Sequence, residues 1–482
     1  MTYRSRSPRA MPHRSQPHQS QPDRSRRALR LLAALLLLAA ARLALAAPVL
    51  MISIDGMKPE YITQADAHDL HVPTLRSLMR DGVYASGVTG VWPTVTYPSH
   101  TTLVTGVAPA EHGIYSNTLF DPERAFAGAW YWYAPEVRVP TLWQAAHAAG
   151  LRTASIGWPV TVSAAGIDYL IPEYWRGTSP GATASPSDRA LIAALSRPDN
   201  LLDEMQQRLG PYMMGNQTTV AGDEIKTRYA IDLLRRQKPA LLTLHLSSLD
   251  ETEHETGPFS PQADATLEAI DGMVARLAAA ARETDPAAVL LVVSDHGFAQ
   301  LTHHVNLTIP FLKAGLLQMS DDADPEDRSI AGWKAQLWMS GGMAAVMLHD
   351  PADKLAAQQA GDLLHKLAAD PANGIAAVLD HEAIRQRGGF PDAAFVVVFK
   401  PGYYAGTEET GDLVTPISGS HGGHGFSPDF PEMRSSFFMA GPGIAHHRDL
   451  GLIDMRQIAS TVAAILGVPL PTAKATPLNV HP

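Results

Sequence analysis

The sequence predicts an α/β fold: a doubly wound, mixed but mostly parallel sheet with helices on both faces. Three observations lead there. Short continuous apolar runs recur along the chain, helical periodicity fills the segments between them, and several runs stop at an aspartate. Val49-Leu50-Met51-Ile52-Ser53-Ile54 is the first run and ends at Asp55-Gly56. A strand that is apolar at nearly every position, with no alternation, is one buried on both faces, as parallel strands between helix layers are. Ala240 to Leu246 is a second such run, followed by Asp250, and Val289 to Val293 is a third, ending in Ser294-Asp295-His296-Gly297. Ser435 to Ala440, closed by Gly441-Pro442-Gly443, is the fourth. Leu75–Arg80, Ala263–Arg282 and Met455–Leu466 carry helical spacing between the runs. Strands alternating with helices build a doubly wound sheet. In such sheets the working groups sit just past the carboxyl ends of the strands.

With 482 residues, 45 % apolar and 18 % charged, the chain has ordinary globular composition and can bury a large core. That length suits two to four domains, or one large α/β domain with insertions. The Pro-, Gly- and Asp-rich stretches 160–200 and 320–410 are expected to be insertions or cap elements that shape a substrate pocket. There is no cysteine, so no disulfide holds the fold.

Residues 1–46 differ from the rest. An Arg-, Ser- and Pro-rich segment leads into a leucine–alanine run too short for a comfortable bilayer span, closing on Ala44-Leu45-Ala46. That pattern reads as an export signal cleaved after Ala46, with an uncleaved membrane anchor as the alternative. Ser25-Arg26-Arg27 resembles a twin-arginine signal. The expected address is periplasmic or secreted, with residues 47–482 as the mature domain and no stable membrane span in it. The leader carries nine Arg and one Asp, so its removal takes the net charge from −10 to −18. So acidic a body is a poor partner for nucleic-acid duplexes, whose backbones demand cations. A small-molecule substrate is the expected partner; oligomeric state is not legible.

Asp250 and His254 are four residues apart, so one helical turn presents both on one face, able to grip a cation. Asp295-His296 at a strand end is a second weak signal, equally compatible with a capping Asp beside a surface His. His424, between Gly423 and Gly425, is a third; its glycines permit close backbone approach to a ligand or mark a turn. Each pattern alone occurs by chance. With Asp55 they supply three carboxylates and three imidazoles. Val91-Trp92-Pro93-Thr94-Val95-Thr96-Tyr97-Pro98-Ser99-His100-Thr101-Thr102 adds a crowd of hydroxyls ahead of a helix expected to begin near Ser99.

These motifs, in their order, resemble the type I phosphodiesterase/nucleotide pyrophosphatase family of the alkaline phosphatase superfamily. The resemblance rests on Ile54-Asp55-Gly56, Thr96-Tyr97-Pro98-Ser99-His100, Leu103-Val104-Thr105-Gly106, His112-Gly113-Ile114, Asp250 with His254, Ser294-Asp295-His296-Gly297 and Gly423-His424-Gly425-Phe426. It spans roughly Val49 to Leu466. It implies an alkaline phosphatase-like fold and a site for two Zn2+ ions, other divalent metals being possible. Asp250, His254 and His424 would hold one ion; Asp55, Asp295 and His296, with Thr96, the other. Thr96 would be the nucleophile that forms a phospho-threonine, and Asn117 would bind a non-bridging phosphoryl oxygen. Carboxylate and imidazole around an open position suit catalytic zinc independently of the resemblance.

A threonine hydroxyl is a weak nucleophile until a cation stabilises its alkoxide. The implied activity is hydrolysis of phosphodiester or pyrophosphate bonds. An alkaline phosphatase-like phosphomonoesterase is the alternative, and a non-catalytic binding protein on the same fold a more distant one. Asn117, a neutral donor, suits the lower charge of a diester. Tyr97 is expected to line the leaving-group pocket. His245 stands where many family members carry a tyrosine that stacks on a nucleobase, which weakens the case for a nucleotide; it is equally readable as an ordinary strand residue. His100 and His112 are expected to be structural, and His421 is a weaker candidate ligand than His424.

Overall fold

The computed structural model describes residues 1–2, 47–122, 129–175, 186–213, 217–320 and 329–482. The expected export segment therefore lies almost wholly outside the described residues. Ala47–Pro482 forms one compact unit.

Its centre is an eight-stranded sheet. In chain order the strands are β1 (Val49–Ile54), β2 (Val83–Tyr84), β3 (Thr153–Ile156), β4 (Tyr169–Ile171), β5 (Leu241–Leu246), β6 (Val289–Val293), β7 (Phe437–Ala440) and β8 (Arg448–Asp449). In space they run β8-β2-β7-β6-β1-β5-β3-β4. Only β7 runs antiparallel to its neighbours; the other pairs are parallel. The mixed, mostly parallel α/β sheet expected from the apolar runs is the one observed. The span 160–200 also supplies an edge strand of this sheet, β4. Within 320–410 a separate four-stranded antiparallel sheet forms from Ala335–Met339, Met343–Leu348, Phe395–Phe399 and Ile375–Asp380.

The period-2 alternation of side chains sorts the central strands between two cores. Leu50, Ile52, Ile54, Leu242, Leu244, Leu246, Leu290 and Val292 join one apolar cluster. Val49, Met51, Leu241, Val289, Leu291 and Val293 join the other, on the opposite face. Fully burying one such side chain is worth about 1.5–3 kcal/mol, so the three central strands contribute to both cores at once. The same alternation puts His245 on the face shared with Ser53 and Thr243.

On the first face, helix α1 (Pro73–Asp81) packs beside α5 (Pro261–Thr284), which buries Ala263, Leu267, Ile270, Val274 and Leu277. Ser260 caps α5: its side chain accepts from Ala263 N at 3.1 Å, and Pro261 fits the first turn. On the second face lie α2 (Thr96–Thr105) and α6 (Arg456–Leu466). Between these in the chain come α3 (Val220–Gln237) and α4 (Ser248–Thr256).

Helix α2 starts at Thr96, three residues before the expected start near Ser99. Pro98 sits in the first turn, where a missing N–H breaks no helical bond, so it does not delay the helix. The hydroxyls around it bond to backbone or pack rather than cap. Thr94 Oγ1 donates to Phe426 O at 2.7 Å, Thr101 Oγ1 to Tyr97 O at 2.8 Å and Thr102 Oγ1 to Val107 O at 2.9 Å. Ser99 Oγ is buried without a protein partner.

Candidate active site

Register brings the site together. Ser53 of β1 pairs with His245 of β5 and with Val293 of β6, so the carboxyl ends of three strands are level. Asp55 and Asp295-His296 emerge there, and α4 opens directly after β5 with Asp250 in its first turn. His424 arrives from elsewhere. The strand Val414–Gly423 runs antiparallel to Ala299–Val305, with Gly423 opposite Ala299, so His424 lands beside the end of β6. Gly425 follows at φ +83°, and a Cβ there would lie 2.1 Å from Ser340 O, so only glycine fits that turn.

Two trios of side chains result. Asp250, His254 and His424 form one; Asp55, Asp295 and His296 form the other; within each, one ligand atom from every member lies within 4.8 Å of the rest. His296 and His424 belong to different trios, yet their rings stack at 3.7 Å and 9°, so the trios are adjacent. His296 Nε2 lies 3.0 Å from Asp295 Oδ2, 3.4 Å from Asp55 Oδ1 and 3.4 Å from Thr96 Oγ1. Thr96 Oγ1 thus lies against the trio of Asp55, Asp295 and His296.

Each trio has the composition to hold a divalent cation, and three features fit one. Asp55 Oδ1, Asp250 Oδ1 and Asp295 Oδ2 are buried without a protein hydrogen bond. Such groups are costly unless something positive meets them. His254 and His424 each direct Nδ1 at a backbone carbonyl, Gly422 O and Thr94 O, both at 3.1 Å, which leaves Nε2 for a metal. Electrostatics agree. Burial, then the neighbouring aspartates, push Asp55 well above the usual carboxylate range, and burial also raises Asp250. Burial opposes charge on His296 as well, but the aspartates outweigh it and lift the imidazole to about 9. His424 is driven well down by burial and by its two histidine neighbours. Among the described residues these are the two groups with such an arrangement.

The other expected site residues are placed as follows. Asn117 Oδ1 accepts from Tyr97 N at 2.9 Å, so its amide NH2 is the side left to donate to a ligand. Tyr97 is only 1 % exposed, and its hydroxyl donates to Glu173 Oε1 at 2.7 Å. Its side chain is therefore buried and held from within the protein. Half-buried Trp130 packs against it at 5.2 Å, and Trp175 packs against Trp130 at 4.9 Å. His421 points Nδ1 at His254 O and stays out of the trio, whereas His303 stacks on Tyr403. His100 and His112 are buried and structural in their contacts: His100 bonds Thr96 O and Ser53 Oγ, and His112 accepts from Ile114 N. Burial pushes both down to about 3.

Two residues play parts that motif reading did not find. His245 is 2 % exposed and directs Nε2 at Asp55 Oδ2 (2.9 Å) and Nδ1 at Glu173 Oε2 and Gly157 O (both 3.0 Å). It neither faces a ligand nor serves as plain strand filling. Burial opposes its charge, but two carboxylates outweigh that and lift it to about 10. Glu173 follows β4 and is 8 % exposed. Burial would raise it, yet the hydrogen bond and charge of His245 leave it below the usual range. Only the alternation of β5 could have hinted at His245; nothing local marks Glu173.

The type I phosphodiesterase/nucleotide pyrophosphatase sequence profile matches residues 49–427. Human ectonucleotide pyrophosphatase/phosphodiesterase family member 1 is 25 % identical over 265 residues, which is 52 % of this chain and 24 % of that protein. An uncharacterised pyrophosphatase/phosphodiesterase of Schizosaccharomyces pombe is 25 % identical over 257 residues, 52 % of this chain and 44 % of that one. The chain thus matches about a quarter to under half the length of these relatives. Among solved structures, human ectonucleotide pyrophosphatase/phosphodiesterase 5 aligns with a TM-score of 0.60 at 19 % identity, covering 90 % of this chain and 97 % of that one. The murine counterpart, an inactive variant in complex with AMP, gives 0.61 at 20 % identity with the same coverage. The fold is therefore that of these enzymes. By the profile match across most of its length, this chain belongs to the type I phosphodiesterase/nucleotide pyrophosphatase family.

Proposed function

We propose that this chain is a zinc-dependent hydrolase of phosphodiester or pyrophosphate bonds that works through a phospho-threonine intermediate on Thr96. The observation that carries the reading is the position of Thr96 Oγ1, 3.4 Å from His296 Nε2 and at the first turn of a helix, beside two adjacent trios of ligand-type side chains. Asp250, His254 and His424 would hold one Zn2+; Asp55, Asp295, His296 and the Thr96 oxygen would hold the other. Bound cations supply charge neutralisation for the phosphoryl group and lower the cost of a threonine alkoxide.

The chain's own residues account for the rest. Thr96 Oγ1 attacks phosphorus in line; the Oγ1–P bond forms as the bond to the leaving oxygen breaks, the threonine proton ends on the leaving oxygen, and that group departs as an alcohol or phosphate. Water then attacks the phospho-threonine, the Oγ1–P bond breaks, and Thr96 regains its proton. Asn117, tethered through Oδ1 to Tyr97 N, offers its NH2 to a non-bridging oxygen. That donor is neutral, which favours a diester over the more highly charged monoester. The AMP complex of the murine relative is consistent with a nucleotide-type substrate.

Turnover of bis-(p-nitrophenyl) phosphate and of p-nitrophenyl phosphate by the zinc-loaded mature chain, beside Thr96→Ala, tests this. Diester preference that disappears in the variant is expected. Monoester preference would overturn the substrate class while keeping the site. We propose further that residues 1–46 are a cleaved export signal, supported by the compact unit beginning at Ala47. Amino-terminal sequencing of the exported protein should then start at Ala47.

A further inference from the structure

Four buried side chains form an unbroken hydrogen-bonded line through the site. Asp55 Oδ2 meets His245 Nε2 at 2.9 Å, His245 Nδ1 meets Glu173 Oε2 at 3.0 Å, and Glu173 Oε1 accepts from Tyr97 Oη at 2.7 Å. Their exposures run from 1 % for Tyr97 to 8 % for Glu173, so no stretch of the line is open to bulk water. Its first member belongs to a candidate metal trio, and its last directly follows Thr96.

We propose that His245 and Glu173 are positioning residues that lock the Asp55 carboxylate and the nucleophile's turn into one frame. The proposal rests on the reading of Asp55 as a metal ligand and Thr96 as the nucleophile. The geometry of each end supports it. At the Asp55 end, the bond from His245 uses Oδ2 and leaves Oδ1, the oxygen nearer His296, as the free ligand atom. A hydrogen bond to one oxygen restrains the carboxylate's rotation, which is how outer hydrogen bonds set a metal ligand's orientation. At the other end, Tyr97 is fixed three times over. Its N–H donates to Asn117, its carbonyl accepts from Thr101, and its hydroxyl reaches Glu173. The Thr96 carbonyl is held in turn by His100 Nδ1 at 2.8 Å.

The line also joins distant parts of the chain: β1, β5, the turn after β4 and α2. β4 sits at the far edge of the sheet, two strands from β5. Glu173 is the one member it contributes, reaching back across β3 to the strand-end cleft. Reorientation at either end would therefore be felt at the other, because a buried bond cannot be replaced by water.

Zinc affinity of the full mature chain, measured by competition with a chromophoric chelator, tests the idea without relying on turnover. Tyr97→Phe is the critical variant, since it removes one hydroxyl at the end of the line opposite Asp55 and leaves every proposed metal ligand in place. Tyr97→Phe is expected to weaken the zinc that Asp55 would hold by a few-fold, and Glu173→Ala and His245→Ala by about 10–100-fold. Glu173→Gln, which keeps an acceptor for one of the two bonds, should fall between. In a Glu173→Ala background, Tyr97→Phe should have no further effect on zinc affinity, because the line is already cut. For bis-(p-nitrophenyl) phosphate, kcat should fall in Tyr97→Phe with KM little changed. Full additivity, or unchanged zinc affinity and kcat in a folded Tyr97→Phe protein, would overturn the positioning role of the line while leaving the proposed hydrolase intact. Absence of zinc binding by the unsubstituted chain would overturn both.

Discussion

Gly56 follows Asp55 at the mouth of β1, and replacing it with alanine tests how tightly the site is packed. Gly56 has φ +75°, a left-handed conformation that costs a residue with a Cβ about 1–2 kcal/mol. The added Cβ would also lie 2.7 Å from Phe298 Cε2 and 2.8 Å from Glu253 Oε2. Comfortable carbon contacts are about 3.5–4.0 Å, so one neighbour must yield by nearly an ångström. Neither can swing away: both are fully buried, and Tyr61 holds Glu253 by a 2.8 Å hydrogen bond. Overpacking of that kind adds about 1–3 kcal/mol, for a total near 2–5 kcal/mol. The damage should reach the metal trios as well. The Phe298 ring centre lies 4.9 Å from His254, 5.3 Å from His424 and 5.8 Å from His296. Urea unfolding of the metal-free chain reads the stability loss, and zinc titration reads the second effect. Gly150→Ala is the control: its φ is +77° but nothing lies within 4 Å of the new Cβ, so only the backbone cost applies. Should Gly56→Ala destabilise no more than Gly150→Ala, and bind zinc as tightly as the unsubstituted chain, the packing argument is wrong.

Three further outcomes are expected. Removing metal with a chelator should lower the melting temperature, since a cation at 100 times its dissociation constant adds about 2.7 kcal/mol; an unchanged melting curve would count against any cation at the trios. His112, neutral and lowered to about 3 in the fold, holds fewer protons than its unfolded form between that value and about 6.5. Its share of stability is complete above about pH 6.5 and erodes by up to about 1.4 kcal/mol per pH unit on acidification, so His112→Asn should flatten the acid limb of a stability profile. Lys226 is buried against Asp223 at 2.8 Å, and Asp223 also accepts from Ser247 N and Ser248 N where β5 passes into α4. Lys226→Met should cost about 3–5 kcal/mol by stranding that carboxylate, whereas Lys226→Met with Asp223→Asn should recover part of it, both read by urea unfolding.

The sequence by itself determined the three central strands, because strands buried on both faces must be apolar throughout and so announce themselves. It also determined which carboxylates and imidazoles to watch, since Asp55, Asp295 and Asp250 lie at or just beyond strand ends and His254 is one helical turn from Asp250. The start of α2 at Thr96, and not near Ser99, is not legible locally, because a proline is accommodated in a first turn as readily as just before one. What the tertiary structure alone decided is partnership across distance. Whether His424 reaches the end of β6 depends on the register of Val414–Gly423 against Ala299–Val305, set by pairing far along the chain. Glu173 gains meaning only when the sheet order places β4 two strands from β5, and His245 only when alternation turns it toward Asp55. A hydrogen bond between residues 72 or 190 positions apart leaves no local pattern of hydrophobicity to read, since it is fixed by the packing of the whole sheet.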